Sequence, residues 1–294
     1  MIRAPLFMAP SSAAEGGSDK IRCELCPNNC DIKSGGFGAC GVRGNKSGVG
    51  IIPFYGFISA LAMDPIEKKP LYHFKPGSKI ISLGFAGCNL HCPFCQNWHI
   101  SQNTDICEQG RGKWMKPEEI ISLALKENSP SIAYTYSEPL AHVEYVLDCM
   151  ALAREHEIAN VLVTNGCVNP KAAAVILEMT DAANVDLKCY DNDTYKKCLG
   201  GDLETVKEFI ELCYKMGVHL EVTSLVVPDL NDSKEELHAI ADFIASISKD
   251  IPWHLTAYHP DYRWNAPPTD PDFLRSMAKE AEKKLTHVHT GNIR

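Results

Sequence analysis

From residue 80 onward, strand-like and helical stretches take turns, and that alternation constrains the fold of this chain more than any other feature. Apolar runs of strand length fall at Ile80–Ala86, Ser131–Tyr136, Asn160–Thr164, Asn184–Leu187, His219–Val227 and Trp253–Tyr258. Helical runs fall between them, at Pro117–Asn128, Leu140–His156, Pro170–Met179, Leu203–Met216 and Ser233–Ser248, with Pro271–Leu285 at the end. Pro117 and Pro170 suit the first position of a helix, and Asp232-Ser233 followed by Glu235 and Glu236 offers a cap with acids in the first turn. Leu203–Met216 sets Val206, Phe209, Ile210 and Cys213 at three- and four-residue steps, which is an amphipathic face. Strands alternating with helices imply parallel βαβ units. Six units are too few for a closed eight-fold barrel, and no Gly-x-Gly-x-x-Gly follows the first strand to suggest a dinucleotide fold. The pattern predicts an α/β chain built as an open, partial (β/α)6 TIM-like barrel.

In parallel barrels the reactive groups gather at the C-terminal ends of the strands. The first strand here runs into Gly87-Cys88-Asn89-Leu90-His91-Cys92-Pro93-Phe94-Cys95, a C-x3-C-x2-C loop. Three thiolates hold three irons of a [4Fe–4S] cube, whereas a closed electron-transfer cluster takes four. The fourth iron is thereby left open to a ligand, as the metal is in catalytic rather than structural sites. A zinc knuckle fits less well, because the loop lacks a fourth ligand. The other strands end at Tyr134-Thr135-Tyr136-Ser137-Glu138, Thr164-Asn165-Gly166, Asp186-Leu187-Lys188, Glu221-Val222-Thr223-Ser224 and Tyr258-His259. One polar strand end merely meets solvent. Six of them around a cysteine loop are better explained by a shared polar site for a zwitterionic cofactor.

Residues 1–21, rich in Ala, Ser, Gly and Pro, show neither a secretory nor a transit pattern and are expected to form a disordered tail. Residues 22–79 form a Cys-rich N-terminal extension, and 80–294 the barrel. Cys23, Cys26, Cys30 and Cys40 supply four thiolates to a Gly-rich segment that has no core of its own. Such a segment needs something to order it, so a second metal site is expected there, with zinc ahead of an auxiliary iron–sulfur cluster. Thirteen cysteines in 294 residues without a visible secretion signal suit metal ligation in a reducing cytoplasm better than a disulfide framework. The remaining six, Cys107, Cys149, Cys167, Cys189, Cys198 and Cys213, are expected as buried, inert thiols. A net charge of −8 argues against general nucleic-acid or membrane-surface binding. No apolar run approaches the roughly 18–20 residues of a membrane span.

The three-cysteine spacing, with aromatic Phe94 just before the third cysteine, resembles the radical S-adenosylmethionine (SAM) superfamily. Thr164-Asn165-Gly166, Asp186-Leu187-Lys188, Leu225-Val226-Val227-Pro228 and Tyr258-His259 are similar to the activating enzymes of glycyl-radical enzymes, of pyruvate formate-lyase type. The stretch from Asp64 to Phe74, Tyr134 to Pro139, and Cys40-Gly41-Val42-Arg43 are most similar to the radical SAM protein of the AmmeMemoRadiSam system. The resemblance implies a [4Fe–4S] cluster on Cys88, Cys92 and Cys95 whose open iron binds SAM. It further implies an oxidoreductase chemistry in which the reduced cluster cleaves SAM to a 5′-deoxyadenosyl radical that abstracts a substrate hydrogen. An electron donor such as flavodoxin or ferredoxin is implied as a partner, while the substrate is left open between a protein and a small molecule. Carried over by position, Phe94 lies near the adenine, Glu138 grips the SAM amino group with Thr164 and Asn165 beside it, Asp186 and Lys188 flank the carboxylate, and His259 lies near the adenosine. Val163 and Thr223 depart from the acid and the arginine that activating enzymes carry at those places. The competing expectation is an iron–sulfur or zinc scaffold, or electron-transfer protein, that does not cleave SAM and has no need of Glu138 or Lys188.

Overall fold

The computed structural model describes residues 4–11, 19–107 and 109–293. Its centre is an eight-stranded sheet: β1 (Ala60–Pro65), β2 (Lys79–Gly84), β3 (Ser131–Thr135), β4 (Ala159–Thr164), β5 (Ala182–Asp186), β6 (His219–Val226), β7 (Trp253–Ala257) and β8 (Val288–Gly291). Neighbours in the sheet follow chain order. From β2 to β8 every pairing is parallel, whereas β1 runs antiparallel to β2 along Ala60↔Gly84 to Pro65↔Lys79. The edge strands β1 and β8 are not hydrogen-bonded to one another, so the barrel is partial and open, as the sequence predicts. The two strands beyond the predicted six carry Asp64 and His289 in place of an unbroken apolar run, and pairing with a neighbour rather than local pattern makes them strands.

Helices α1 (Pro117–Lys126), α2 (Val143–Glu155), α3 (Pro170–Leu177), α4 (Leu203–Lys215), α5 (Lys234–Ile247) and α6 (Pro271–Ala281) alternate with the strands. Their starts follow from local chemistry. Asp202 accepts from Thr205 N–H at 3.0 Å, Ser233 from Glu236 N–H at 3.1 Å and Asp270 from Asp272 N–H at 2.9 Å, which satisfies amides that have no partner inside the helix. The predicted face of α4 is buried at Val206, Phe209, Ile210 and Cys213. A short 3-10 turn, Pro139–His142, precedes α2 where the sequence suggests one continuous helix from Leu140.

The N-terminal extension folds as small antiparallel pieces. Met8–Pro10 pairs with Ile21–Cys23, and Ile21–Cys23 with Asp31–Ile32; Gly44–Lys46 pairs with Val49–Ile51. Met8–Pro10 thus departs from the disordered tail expected for residues 1–21. Phe7 and Met8 pack against the main core, and Leu6 N–H donates to Glu144 at 2.6 Å, so burial orders this stretch. Residues 1–3 and 12–18 of that expectation lie outside the described residues. All thirteen cysteines are free of disulfide bonds, and of the six scattered ones Cys149, Cys167, Cys189 and Cys213 are buried while Cys107 and Cys198 are half-buried. Among the described residues no helix is long and apolar enough to cross a membrane.

Candidate active site

Past the end of β2 the chain turns through Gly87 at φ 77°, a left-handed conformation that glycine adopts without a steric penalty. A side chain there would also collide: a Cβ would lie 2.4 Å from the carbonyl oxygen of Cys40 and 2.7 Å from Val42. The cysteine loop that follows is pinned from several sides. His91 N–H donates to Leu199 O at 2.7 Å and Arg263 N–H to Pro93 O at 2.9 Å, while Ser101 Oγ lies 3.2 Å from Cys95 Sγ. Leu90 N–H donates to Cys88 Sγ at 3.4 Å, and Asn165 Nδ2 to the same sulfur at 3.7 Å.

Cys88, Cys92 and Cys95 open on a cleft of about 510 Å³, with Phe94, Glu138, Asn165, Asp186 and Lys188 in its walls. Residues from the ends of β2, β3, β4 and β5 therefore meet where the barrel rule places them. Glu138 is buried at 1 % exposure and accepts from Thr164 Oγ1 at 2.8 Å, Asn165 N–H at 2.8 Å and Leu140 N–H at 3.0 Å. Burial pushes its carboxyl up to about 7, against the pull of those three donors. Thr164 reaches the site through Glu138; it is not itself in the wall of the cleft. Lys188 Nζ bonds Asp186 at 3.1 Å. Burial opposes its charge, but Asp186 holds the ammonium above its ordinary range. His259 is not drawn into the wall; it is exposed at the rim, where its Nδ1 stands 3.2 Å from Gln96 of the cysteine loop.

Several groups in and below the cleft carry no role in the sequence reading. Lys69, almost wholly buried, bonds Asp64 at 2.7 Å and lies 4.3 Å over the ring of Tyr136, whose hydroxyl donates to Asp64 at 2.6 Å. Burial works against ionisation of Asp64, yet Lys69 and Tyr136 hold its carboxyl well below the usual range. Thr223, where activating enzymes carry an arginine, points a buried hydroxyl without a hydrogen-bond partner among the described residues into the cleft wall. Glu221, expected near a strand end, is fully buried and accepts from His254 at 2.6 Å, His73 N–H at 2.8 Å, His219 at 3.0 Å and Tyr72 N–H at 3.1 Å. Its bonds link β6 and β7 to the segment between β1 and β2, a structural task with no lone pair left idle. Only the sequence stretch Asp64 to Phe74 hinted at the first and third groups, and their partners lie too far along the chain to be paired by pattern.

These residues fit a [4Fe–4S] cluster and SAM. Burial pushes the Cys92 thiol up to about 12, against the opposing pull of Lys188, and raises that of Cys88 as well, so at these two sulfurs a bound cation supplies the compensation that the thiolate needs. N–H donors already face Cys88, the kind of bond that tunes cluster sulfurs. The rest of the wall offers a carboxylate and an ammonium, a set suited to a zwitterion.

A family model described as the radical SAM superfamily matches residues 83–244. The chain is 39% identical to an uncharacterized protein of Methanocaldococcus jannaschii over 278 residues, which is 94% of this chain and 82% of the relative. It is 26% identical to the pyruvate formate-lyase-activating enzyme of Clostridium pasteurianum over 71% of this chain and 89% of that enzyme. Among solved structures, Streptococcus suis SuiB bound to S-adenosylmethionine superposes with a TM-score of 0.54 at 14% identity, over 71% of this chain and 51% of that one. At that identity the likeness is one of fold.

Proposed function

The chain belongs to the radical SAM superfamily, and from that premise we propose that its cleft performs activating-enzyme-like hydrogen abstraction. Cys88, Cys92 and Cys95 would hold the cluster. When bound and reduced, that cluster supplies the electron that cleaves SAM to methionine and a 5′-deoxyadenosyl radical. The observation that carries the reading is the convergence of three thiols, Glu138 and the Asp186–Lys188 pair on one cleft.

The protein's own residues then have distinct tasks. Lys188, held charged by Asp186, offers a compact cation to the SAM carboxylate. Glu138, fixed by three donors from the chain, presents a carboxylate edge toward the SAM ammonium, and Asn165 is oriented beside it. Phe94 gives the adenine an apolar neighbour. His259 and Gln96 would close the rim over the adenosine. Both edge regions of the open barrel, Glu67 to Pro70 with Tyr72 beside β1 and Gly291-Asn292 at β8, also line the cleft. A substrate segment would enter on that side, and the likeness to pyruvate formate-lyase-activating enzymes supports another protein as the substrate. A one-electron donor of flavodoxin or ferredoxin type completes the reading. The test is anaerobic reconstitution with iron and sulfide, followed by dithionite and SAM. Methionine and 5′-deoxyadenosine in equal amounts are expected; neither product would leave a scaffold or electron-transfer protein as the better description.

A further inference from the structure

The N-terminal cysteines form a second site. Cys23 at the end of a strand and Cys26, Cys30 and Cys40 in the loops that follow line one enclosed cavity with Leu25, Arg43 and Asn89. Backbone amides already serve the sulfurs. Ala39 N–H donates to Cys30 Sγ at 3.4 Å, the amide of Asn28 faces Cys26, and those of Val42 and Arg43 face Cys40. Cys88 has the same arrangement with Leu90.

Arg43 adds a side-chain donor to the same cavity. It is 1 % exposed, and its two terminal nitrogens are taken by Glu144, each at 2.8 Å, and by the carbonyls of Leu6 and Ala141. The remaining donor, Nε, is buried and makes no close hydrogen bond among the described residues; the acceptor it faces is the sulfur of Cys23, one of the four thiols. A sulfur bearing negative charge accepts that N–H more strongly than a neutral thiol does. A cluster closed by four thiolates is such an acceptor, since it carries net negative charge on its sulfurs.

The size of the cavity argues against thiols drawn in around a single ion. Zinc lies about 2.3 Å from each thiolate, so four sulfurs around it leave no room for a water. The space these four thiols line is about 20 Å³, whereas one water needs roughly 10–15 Å³ by this measure. Among the described residues no three Cys, His, Asp or Glu side chains converge closely enough to hold a single metal ion. That is as true of Cys88, Cys92 and Cys95 as of the N-terminal four.

We infer that Cys23, Cys26, Cys30 and Cys40 bind a second, fully ligated [4Fe–4S] cluster, in place of the zinc that the sequence favours. It lies directly behind the SAM-binding loop: Gly87 is packed on the Cys40 carbonyl, and Asn28 Nδ2 donates to Asn89 O at 3.2 Å, so the residues on both sides of Cys88 touch it. The assignment does not depend on SAM cleavage, and its test is independent too. A Cys92→Ala protein, reconstituted anaerobically with iron and sulfide, is expected to keep about four irons and four sulfides, with an EPR signal that SAM does not alter. About one zinc with no iron, or no tightly held metal at all, would overturn it. The unsubstituted protein guards against a misfolded variant. It is expected to hold about eight irons by Mössbauer counting, and four would equally overturn the inference.

Discussion

The two cysteine groups sit back to back across Gly87 and differ in two respects. Cys88, Cys92 and Cys95 bring three thiols to a cleft of about 510 Å³ that is open along the barrel edge. Cys23, Cys26, Cys30 and Cys40 bring four to a pocket of about 20 Å³ walled by Leu25, Ala141 and Val168. The first site has a missing thiol and polar neighbours beyond it: Glu138, Asp186 and Lys188. The second has its full complement and, apart from Asn89 and the Nε of Arg43, only apolar neighbours. Ligand count and surroundings change together. A cluster at the first site has an iron and a wall for a cofactor, whereas one at the second can only store or pass an electron and order the loops that hold it.

Cys92→Ala attacks the open side of that comparison and carries the largest expected effect. SAM cleavage should vanish while the iron content falls only by half, as measured by product assay and iron analysis on the same sample; full activity would show that the open site is elsewhere. Lys188→Ala leaves the thiols alone and removes the ammonium. A lost charge-assisted hydrogen bond costs about 1.5–3 kcal/mol, so SAM affinity should fall roughly 10- to 150-fold with iron unchanged. An unaltered SAM titration would take Lys188 out of the site. Gly87→Ala strikes the seam between the two groups. Its left-handed backbone and the 2.4 Å approach to Cys40 predict a loss of about 1–3 kcal/mol, visible in chemical unfolding, with both centres perturbed. The smallest effect on turnover is expected from Cys26→Ala combined with Cys40→Ala, which should lose half the iron yet keep most dithionite-driven SAM cleavage.

Much of this contrast was written locally in the chain. Period and caps are properties of consecutive residues, so Pro117, Pro170 and Ser233 marked helix starts, and the strand-end rule then gathered Glu138, Asn165, Asp186 and Lys188 onto one cleft. What could not be read was pairing at a distance. Asp64 acquires its meaning only when β1 folds antiparallel beside β2 and brings it to Tyr136, seventy-two positions on. β8 has no apolar run and exists because β7 offers it a ladder. Spacing counts ligands but does not measure the space between them, so pattern alone does not separate zinc from a cluster at Cys23, Cys26, Cys30 and Cys40. His259 follows the same logic: the sequence placed it at a strand end, but the fold leaves it at the rim, joined to Gln96.

The most direct test of open against closed is an EPR titration of the reduced, fully reconstituted protein with SAM. Two [4Fe–4S]⁺ signals are expected, one of which shifts as SAM binds and disappears in Cys92→Ala, while the other ignores SAM and disappears when Cys26 and Cys40 are replaced. If no signal responds to SAM, or if the responsive one survives Cys92→Ala, the open iron has been assigned to the wrong thiols.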